Sequence, residues 1–218
     1  MSAGLQHALT LEQVGVAVGG RPLFAPLTVT IAGGEILTVM GASGSGKSSL
    51  VAWLSGALDP ALTGLGRVRL DGVDVTRLPP ERRRIGILFQ DDLLFPHLSV
   101  GGNLGFALPA DLPRSERRDR IESALAEAEL AGFAGRDPAS LSGGQRARVA
   151  VMRTLLAEPR ALLLDEPFAK LDAGLRDQFR SFVFNHALQQ GVPVLLVTHD
   201  AADADAAAGT VVMLSHPE

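Results

Sequence analysis

The chain has 218 residues, 46% of them apolar and 20% charged, a balance that excludes a disordered chain and fits one sizeable domain. A net charge of −4 excludes a broadly basic nucleic-acid surface, and the absence of cysteine excludes disulfides, thiolate metal sites and a cysteine nucleophile. No apolar run approaches the roughly 18 residues of a membrane span, and residues 1–10 lack the basic start and apolar core of a signal peptide. A soluble intracellular protein is expected, with any membrane role reached through a partner.

Leu27, Val29 and Ile31 alternate with Thr28 and Thr30, the period of two of a half-exposed strand. Gly33 and Gly34 turn the chain, and Ile36–Met40 is a continuous apolar run, hence a buried strand. A Gly-rich stretch then leads into residues 48–56, a helix ended by glycine. Residues 67–70 and 85–89 read as further strands. Between these two, Arg82, Arg83 and Arg84 form a basic run, read as a solvated turn. The middle differs. Ile121, Ala124, Leu125 and Ala128 recur at helical spacing within 114–130, with Arg, Glu and Asp on the other side. No strand pattern occurs between Ser99 and Pro159. Residues 161–164 and 192–197 are apolar runs of the kind a parallel sheet covered on both faces requires, and 211–214 closes the series. The expected fold is an α/β core with a mostly parallel sheet. A mostly helical subdomain, about 91–157, is inserted between its strands (the core then being about 1–90 and 158–218).

Gly41, Ala42, Ser43, Gly44, Ser45, Gly46, Lys47 and Ser48 together match G-x-x-x-x-G-K-[ST], here between a buried strand and a helix. Glycines let the backbone wrap a phosphate and turn its N–H groups inward, and the helix N-terminus adds positive potential. Lys47 reaches β- and γ-phosphates, Ser48 ligates Mg²⁺, and Ser49 continues the helix mouth. The apolar run 161–164 ends in Asp165 and Glu166. Asp165 suits the shell of a magnesium ion, and Glu166 suits a base or orienting group for an attacking water. Acids at a strand end are common by themselves; beside a phosphate loop the nucleotide reading prevails. Leu141, Ser142, Gly143, Gly144 and Gln145 precede a helical stretch, 146–156, and adjacent glycines before a helix again suit an anion. This pentapeptide arises by chance on the order of 10⁻⁴ per chain of this size.

With that pentapeptide, LSGGQ, the chain resembles the nucleotide-binding subunit of an ATP-binding cassette (ABC) ATPase, from about Leu9 to Leu214. The resemblance implies a P-loop NTPase core with an N-terminal antiparallel β subdomain. It implies that Gln90 is the Q-loop glutamine touching Mg²⁺ and water. Asp172, within 169–172, becomes the D-loop aspartate, and His199 the switch histidine at the γ-phosphate. His97 and His186 match no such role and read as structural. The resemblance further implies a head-to-tail homodimer on ATP binding, with the 41–48 loop of one copy and the 141–145 signature of the other gripping each nucleotide. Where the family usually stacks an aromatic residue on adenine, this chain has Val18, and it contains no tyrosine.

Residues 87–100 and 165–172 are similar to bacterial importer ATPases of the thiamine, polyamine, iron and sulfate type. That likeness implies two permease subunits (or one fused permease) at the inner membrane and, indirectly, a periplasmic solute-binding protein, with no nucleic-acid partner. Leu93, Leu94, Phe95 and Leu98 are the apolar residues expected near a permease coupling helix, although each also suits the core of the helical subdomain. Many such relatives carry an additional C-terminal regulatory domain, which a chain ending at 218 is expected to lack. The alternative is a cassette ATPase outside import, a lipid or lipoprotein extractor or a membrane-associated scaffold.

Overall fold

The structure is a computed structural model that describes residues 7–169, 171 and 173–215. In chain order the elements are strands β1 (Ala8–Val18), β2 (Arg21–Pro22), β3 (Leu27–Ala32) and β4 (Ile36–Met40), helix α1 (Lys47–Ser55), strands β5 (Leu62–Leu70) and β6 (Val73–Asp74), the single turn α2 (Pro80–Arg83) and strand β7 (Ile85–Leu88). Helices α3 (Val100–Gly105), α4 (Arg114–Glu127) and α5 (Gly143–Leu156) follow. Strand β8 (Ala161–Asp165), helix α6 (Ala173–Gln189), strand β9 (Val194–Val197), helix α7 (Ala201–Ala207) and strand β10 (Thr210–Met213) complete the order. The fold is the α/β kind expected, with a parallel sheet, an antiparallel N-terminal sheet and helices.

The chain divides into two compact units. The first holds the chain up to Ile87, Arg160–Glu166 and the chain from Arg180; the second holds Leu88–Pro159 and Pro167–Phe179. The second unit therefore includes residues 167–179 beyond the expected 91–157.

In the first unit a five-stranded sheet runs in the order β10-β4-β9-β8-β7, with β4 parallel to both β9 and β10, and β8 parallel to β9. The first four residues of β8 and all of β9 are buried, because a parallel sheet is covered on both faces. Leu37, Val39, Leu163, Leu195 and Val197 pack with Leu50 and Leu54 of α1 in one core. Each such leucine contributes about 1.5–3 kcal/mol by leaving water.

The second sheet is antiparallel, with β1 between β5 on one side and β3 and β2 on the other. Strand β1 was not among the strands expected from periodicity, and its register explains why. Leu9 and Leu11 are buried, and then Val14 and Val16, so the inward face changes parity. The change is a bulge: pairing with β5 shifts between Glu12 and Gly15, and Gln13 takes φ 51. Gly66 (φ 79) lies across from it, where a Cβ would come within 2.2 Å of the Gln13 carbonyl oxygen. Only glycine fits there.

The basic run at 82–84 is not uniformly solvated. Arg82 and Arg84 are exposed, but Arg83 is buried. Its guanidinium donates to the carbonyls of Leu78 (2.8 Å), Trp53 (2.9 Å), Leu54 (2.8 Å) and Thr76 (2.5 Å). Two of these carbonyls belong to the last turn of α1, where i+4 partners run out; the Trp53 oxygen also accepts from the Gly56 N–H at 3.2 Å. A cation there also complements the negative end of the helix.

In the second unit α3 and α4 both pack on α5. The buried Asn103 ties down the 95–99 loop: its amide donates to Phe95, Leu98 and Ser99 carbonyls, and its oxygen accepts from the Phe95 N–H.

Candidate functional site

Strand β4 stops at Met40 and α1 starts at Lys47, so residues 41–46 form a loop between a buried strand and a helix. Gly46, at φ 91, is the residue before the helix, and no side chain caps the first-turn N–H groups. A Cβ on Gly46 would stand 2.8 Å from the buried Phe24 ring. The loop is therefore pressed on that ring; its Ser45 N–H donates to the Ala42 carbonyl at 3.1 Å, while the uncapped N–H groups of the first helical turn face a ligand site. The Lys47 ammonium, itself buried, donates to the carbonyls of Gly41 (2.8 Å) and Ala42 (2.9 Å). The Ser45 hydroxyl is buried without a partner among the described residues. An orphaned buried hydroxyl in a ring of glycine N–H groups is the donor set a polyphosphate requires.

A cavity of about 780 Å³ opens over this loop. It takes in residues 41–44 and 46–49, with Glu166 and His199 on its wall, and Leu23, Met40 and Met213 as its apolar part. The signals for Gly41, Ala42, Ser43, Gly44, Gly46, Lys47, Ser48, Ser49, Glu166 and His199 in the sequence thus fall on one wall. Val18 does not line it: it is exposed at the end of β1. Leu23, Met40 and Met213 had no sequence signal, because isolated apolar residues at strand ends look like core.

Asp165 closes β8 and accepts a hydrogen bond from Ser48. Burial, then the adjacent Glu166 carboxylate, push its pKa above the ordinary aspartate value, against the opposing pull of Ser48 and Lys47. An acid with a raised folded-state pKa binds its proton more tightly folded than unfolded. Its contribution is full below the ordinary aspartate pKa and is lost as pH rises through the folded value. At neutral pH, without a divalent cation, Asp165 is thus a net cost. Asp165→Asn is expected to melt higher than the parent in EDTA at pH 7, with the gap closing on acidification, as thermal melts across pH would read. Among the described residues no cluster of three or more His, Asp or Glu could hold a metal by itself. A hydroxyl at Ser48 and one carboxylate at Asp165 fit magnesium, which takes few protein ligands and completes its shell with phosphate and water.

Glu166 has φ 47, a strained conformation for a residue with a side chain, held by its N–H donating to the Val197 carbonyl at 2.9 Å. The strain turns its carboxylate toward His199, whose Nδ1 stands 3.2 Å from Oε1. The histidine loop has its own brace. The Thr198 hydroxyl donates to Asp203 (3.0 Å) and accepts from the Asp200 N–H (3.0 Å), and Arg180 pairs with Asp203 at 2.8 Å, both side chains being buried. Asp203→Asn weakens two charge-assisted bonds and is expected to cost about 1.5–3 kcal/mol by urea denaturation. This brace was not legible in the sequence, since Arg180 and Asp203 lie on different helices.

The second unit carries the other sequence-predicted residues. Ser142 caps α5 in a capping box: its hydroxyl accepts from the Gln145 N–H (3.3 Å), and the Gln145 side chain accepts from the Ser142 N–H (3.0 Å). The helix thus begins at Gly143, three residues before the expected 146. Leu141 and Gly144 are buried, while Ser142 and Gly143 are exposed. Gln90 is exposed and, with Gly143, Arg146 and Asp92, lines a second cavity of about 370 Å³. Arg146 pairs with Asp92 (2.9 Å) and donates to the Leu141 carbonyl (2.9 Å). Arg153 donates to the carbonyls of Leu93 (2.9 Å) and Asp92 (3.2 Å). The residues after Gln90 are thereby tied to the signature helix. Leu93 is exposed, and the Phe95 and Phe106 rings meet tilted at 58° with centroids 4.7 Å apart. Asp172 lies outside the described residues.

Comparison with known proteins places this geometry. The family profile described as "ABC transporter" matches residues 24–169. The chain is 47% identical over 198 residues to the uncharacterised ABC transporter ATP-binding protein YnjD of Escherichia coli, covering 91% of each chain. It is 44% identical to the thiamine import ATP-binding protein ThiQ of Jannaschia sp., covering 94% of this chain and 88% of that one. It is 39% identical to the putrescine transport ATP-binding protein PotG of Escherichia coli, over 97% of this chain but 55% of that relative's length.

Proposed function

We propose, because this chain belongs to the ABC transporter family, a specific way in which it energises import. The chain is an ATPase of the kind coupled to transport. The finer reading is that two copies close head to tail on ATP and drive the permease of a bacterial small-solute importer, as a peripheral subunit on the cytoplasmic face of the inner membrane. No helix among the described residues is long and apolar enough to cross a membrane, so the chain would be held there by its permease partners. A periplasmic solute-binding protein would act further upstream. The observation that carries the reading is the single cavity wall shared by the phosphate loop, Glu166 and His199.

The chain's own residues divide the work. Backbone N–H groups of the loop and the Lys47 ammonium hold the phosphates and offset the charge that develops on them. Ser48 and Asp165 would hold Mg²⁺, with Gln90 the further ligand that the family resemblance implies, and the ion would offset the negative charge of the phosphates. Glu166 takes up the proton of the attacking water and His199 keeps that carboxylate aimed. Ser142, Gly143 and Gly144 of a second copy would cover the γ-phosphate from the other side, with Leu141 anchoring that loop and Gln145 and Asp172 lining the junction. Differential affinity for ATP and ADP then opens and closes the pair. The apolar surface at Leu93, Leu94, Phe95 and Leu98 is where a permease helix would dock.

Co-purification of native membrane partners with the full chain tests the importer reading. Recovery of a permease together with a solute-binding protein is expected. Recovery of a lipoprotein-extracting membrane complex, or of none under conditions that retain ATPase activity, would overturn it. A Gly143→Asp substitution places a carboxylate in the exposed signature loop and is expected to abolish nucleotide-dependent dimerisation on size exclusion, with ATP affinity of the single copy unchanged.

A further inference from the structure

Across the carboxyl ends of the parallel sheet the strand order β8, β9, β4, β10 sets Glu166, His199, the phosphate loop and Met213 in one row. Strands lie about 4.8 Å apart. Glu166 follows a strand two places from the loop on one side, and Met213 ends the strand next to the loop on the other. The acid–base groups of the cavity wall, Glu166 and His199, fix the end at which the γ-phosphate is cleaved. The α-phosphate, and the ribose and base after it, must then run the opposite way, toward β10. The connections after β4 and β9 leave the sheet in opposite senses, the first toward β7 and the second toward β10, so the phosphate loop after β4 borders the usual seat of a nucleotide.

At that end the wall is apolar. Met213 pairs with Met40 across the two strands, is 64% exposed and lines the cavity; Leu23 stands beside the loop, partly buried. Val18 is exposed but off the wall. Among the described residues, the side-chain hydrogen-bonding groups on this cavity are those of the phosphate loop, Ser49, Glu166 and His199.

Given that the cavity binds ATP, we propose that Met213, backed by Leu23, is the platform for the nucleobase, and that it holds the base by thioether and aliphatic contact without reading its edge. A thioether against an aromatic face is a favourable, adaptable contact. Strong discrimination between bases arises when a wrong base leaves a buried donor or acceptor unpaired. Among the described residues the Met213 and Leu23 side chains offer no donor or acceptor to impose that penalty, so the site selects for the triphosphate far more than for the base.

The test is the equilibrium affinity of the full chain for ATP, GTP, CTP and inorganic tripolyphosphate, without divalent cation so that nucleotides stay intact. For the parent, the three nucleotides are expected within about tenfold of one another. Met213→Ala is expected to weaken ATP by about 3- to 10-fold, Met213→Leu by less than about twofold, and neither to change tripolyphosphate affinity. Val18→Ala leaves both ligands unchanged. The constancy of tripolyphosphate separates a lost base contact from a disturbed loop. The platform is overturned if Met213→Ala leaves ATP affinity intact, if it weakens tripolyphosphate in parallel, if Val18→Ala weakens ATP, or if the parent prefers one base more than about a hundredfold. A parent chain that bound neither ATP nor tripolyphosphate would instead overturn the nucleotide reading on which the platform rests.

Discussion

Glu166→Gln is expected to lower the rate of ATP hydrolysis by about 10²–10⁴-fold while ATP affinity stays within a few-fold. The amide keeps the shape of the carboxylate, so the strained backbone at φ 47 and its bond to Val197 persist. What is lost is the acceptor that takes the water proton. The His199 contact at 3.2 Å also loses its charge. Because the nucleotide still binds and is not cleaved, the variant should accumulate as a nucleotide-bound dimer. Steady-state phosphate release, with nucleotide binding and size exclusion on the same sample, reads all three. Hydrolysis at the parental rate would remove Glu166 from the mechanism. Parental binding combined with loss of turnover would place its role at the chemical step.

Arg83→Met is expected to cost about 3–5 kcal/mol of stability. The thioether fills part of the space but leaves four carbonyl oxygens short of a donor, two of them at the end of the helix that opens with Lys47. At about 2–4 °C per kcal/mol for a chain of this size, the melting temperature should fall by about 6–20 °C. Arg82→Met, on the exposed neighbour, should change stability by less than about 0.5 kcal/mol. The same experiment on both positions thus separates charge from place. If both variants melted with the parent, the carbonyl cage would be energetically irrelevant.

These two residues mark different degrees of legibility. Glu166 could be found because an apolar run ending in two acids is a local pattern, and its meaning followed from a phosphate loop elsewhere in the chain. Arg83 could not be separated from Arg82 and Arg84 by any local rule, since all three are the same residue type in one turn. The strand β1 shows a third case. Its alternation is real on each side of Gln13, but the bulge moves the inward face from odd to even positions, and a period-two reading loses phase there. The start of β5 was hidden for a related reason. Gly64 and Gly66 interrupt the apolar pattern, so only residues 67–70 read as strand while the ladder runs from Leu62.

By itself the sequence determined the phosphate loop with its helix, the two acids after an apolar strand, the paired glycines before a helical stretch and the mixed α/β class. Each is written in contiguous residues whose backbone and side-chain preferences act over a few positions. Only the tertiary structure decided which strands are neighbours, and therefore that Glu166 and His199 stand on one flank of Lys47 while Met213 stands on the other. It alone turned Arg83 inward and joined Arg180 to Asp203. The reason is physical: strand order and buried charge pairs are bought by non-local hydrogen bonds and by desolvation shared among distant segments, and no single segment carries that information.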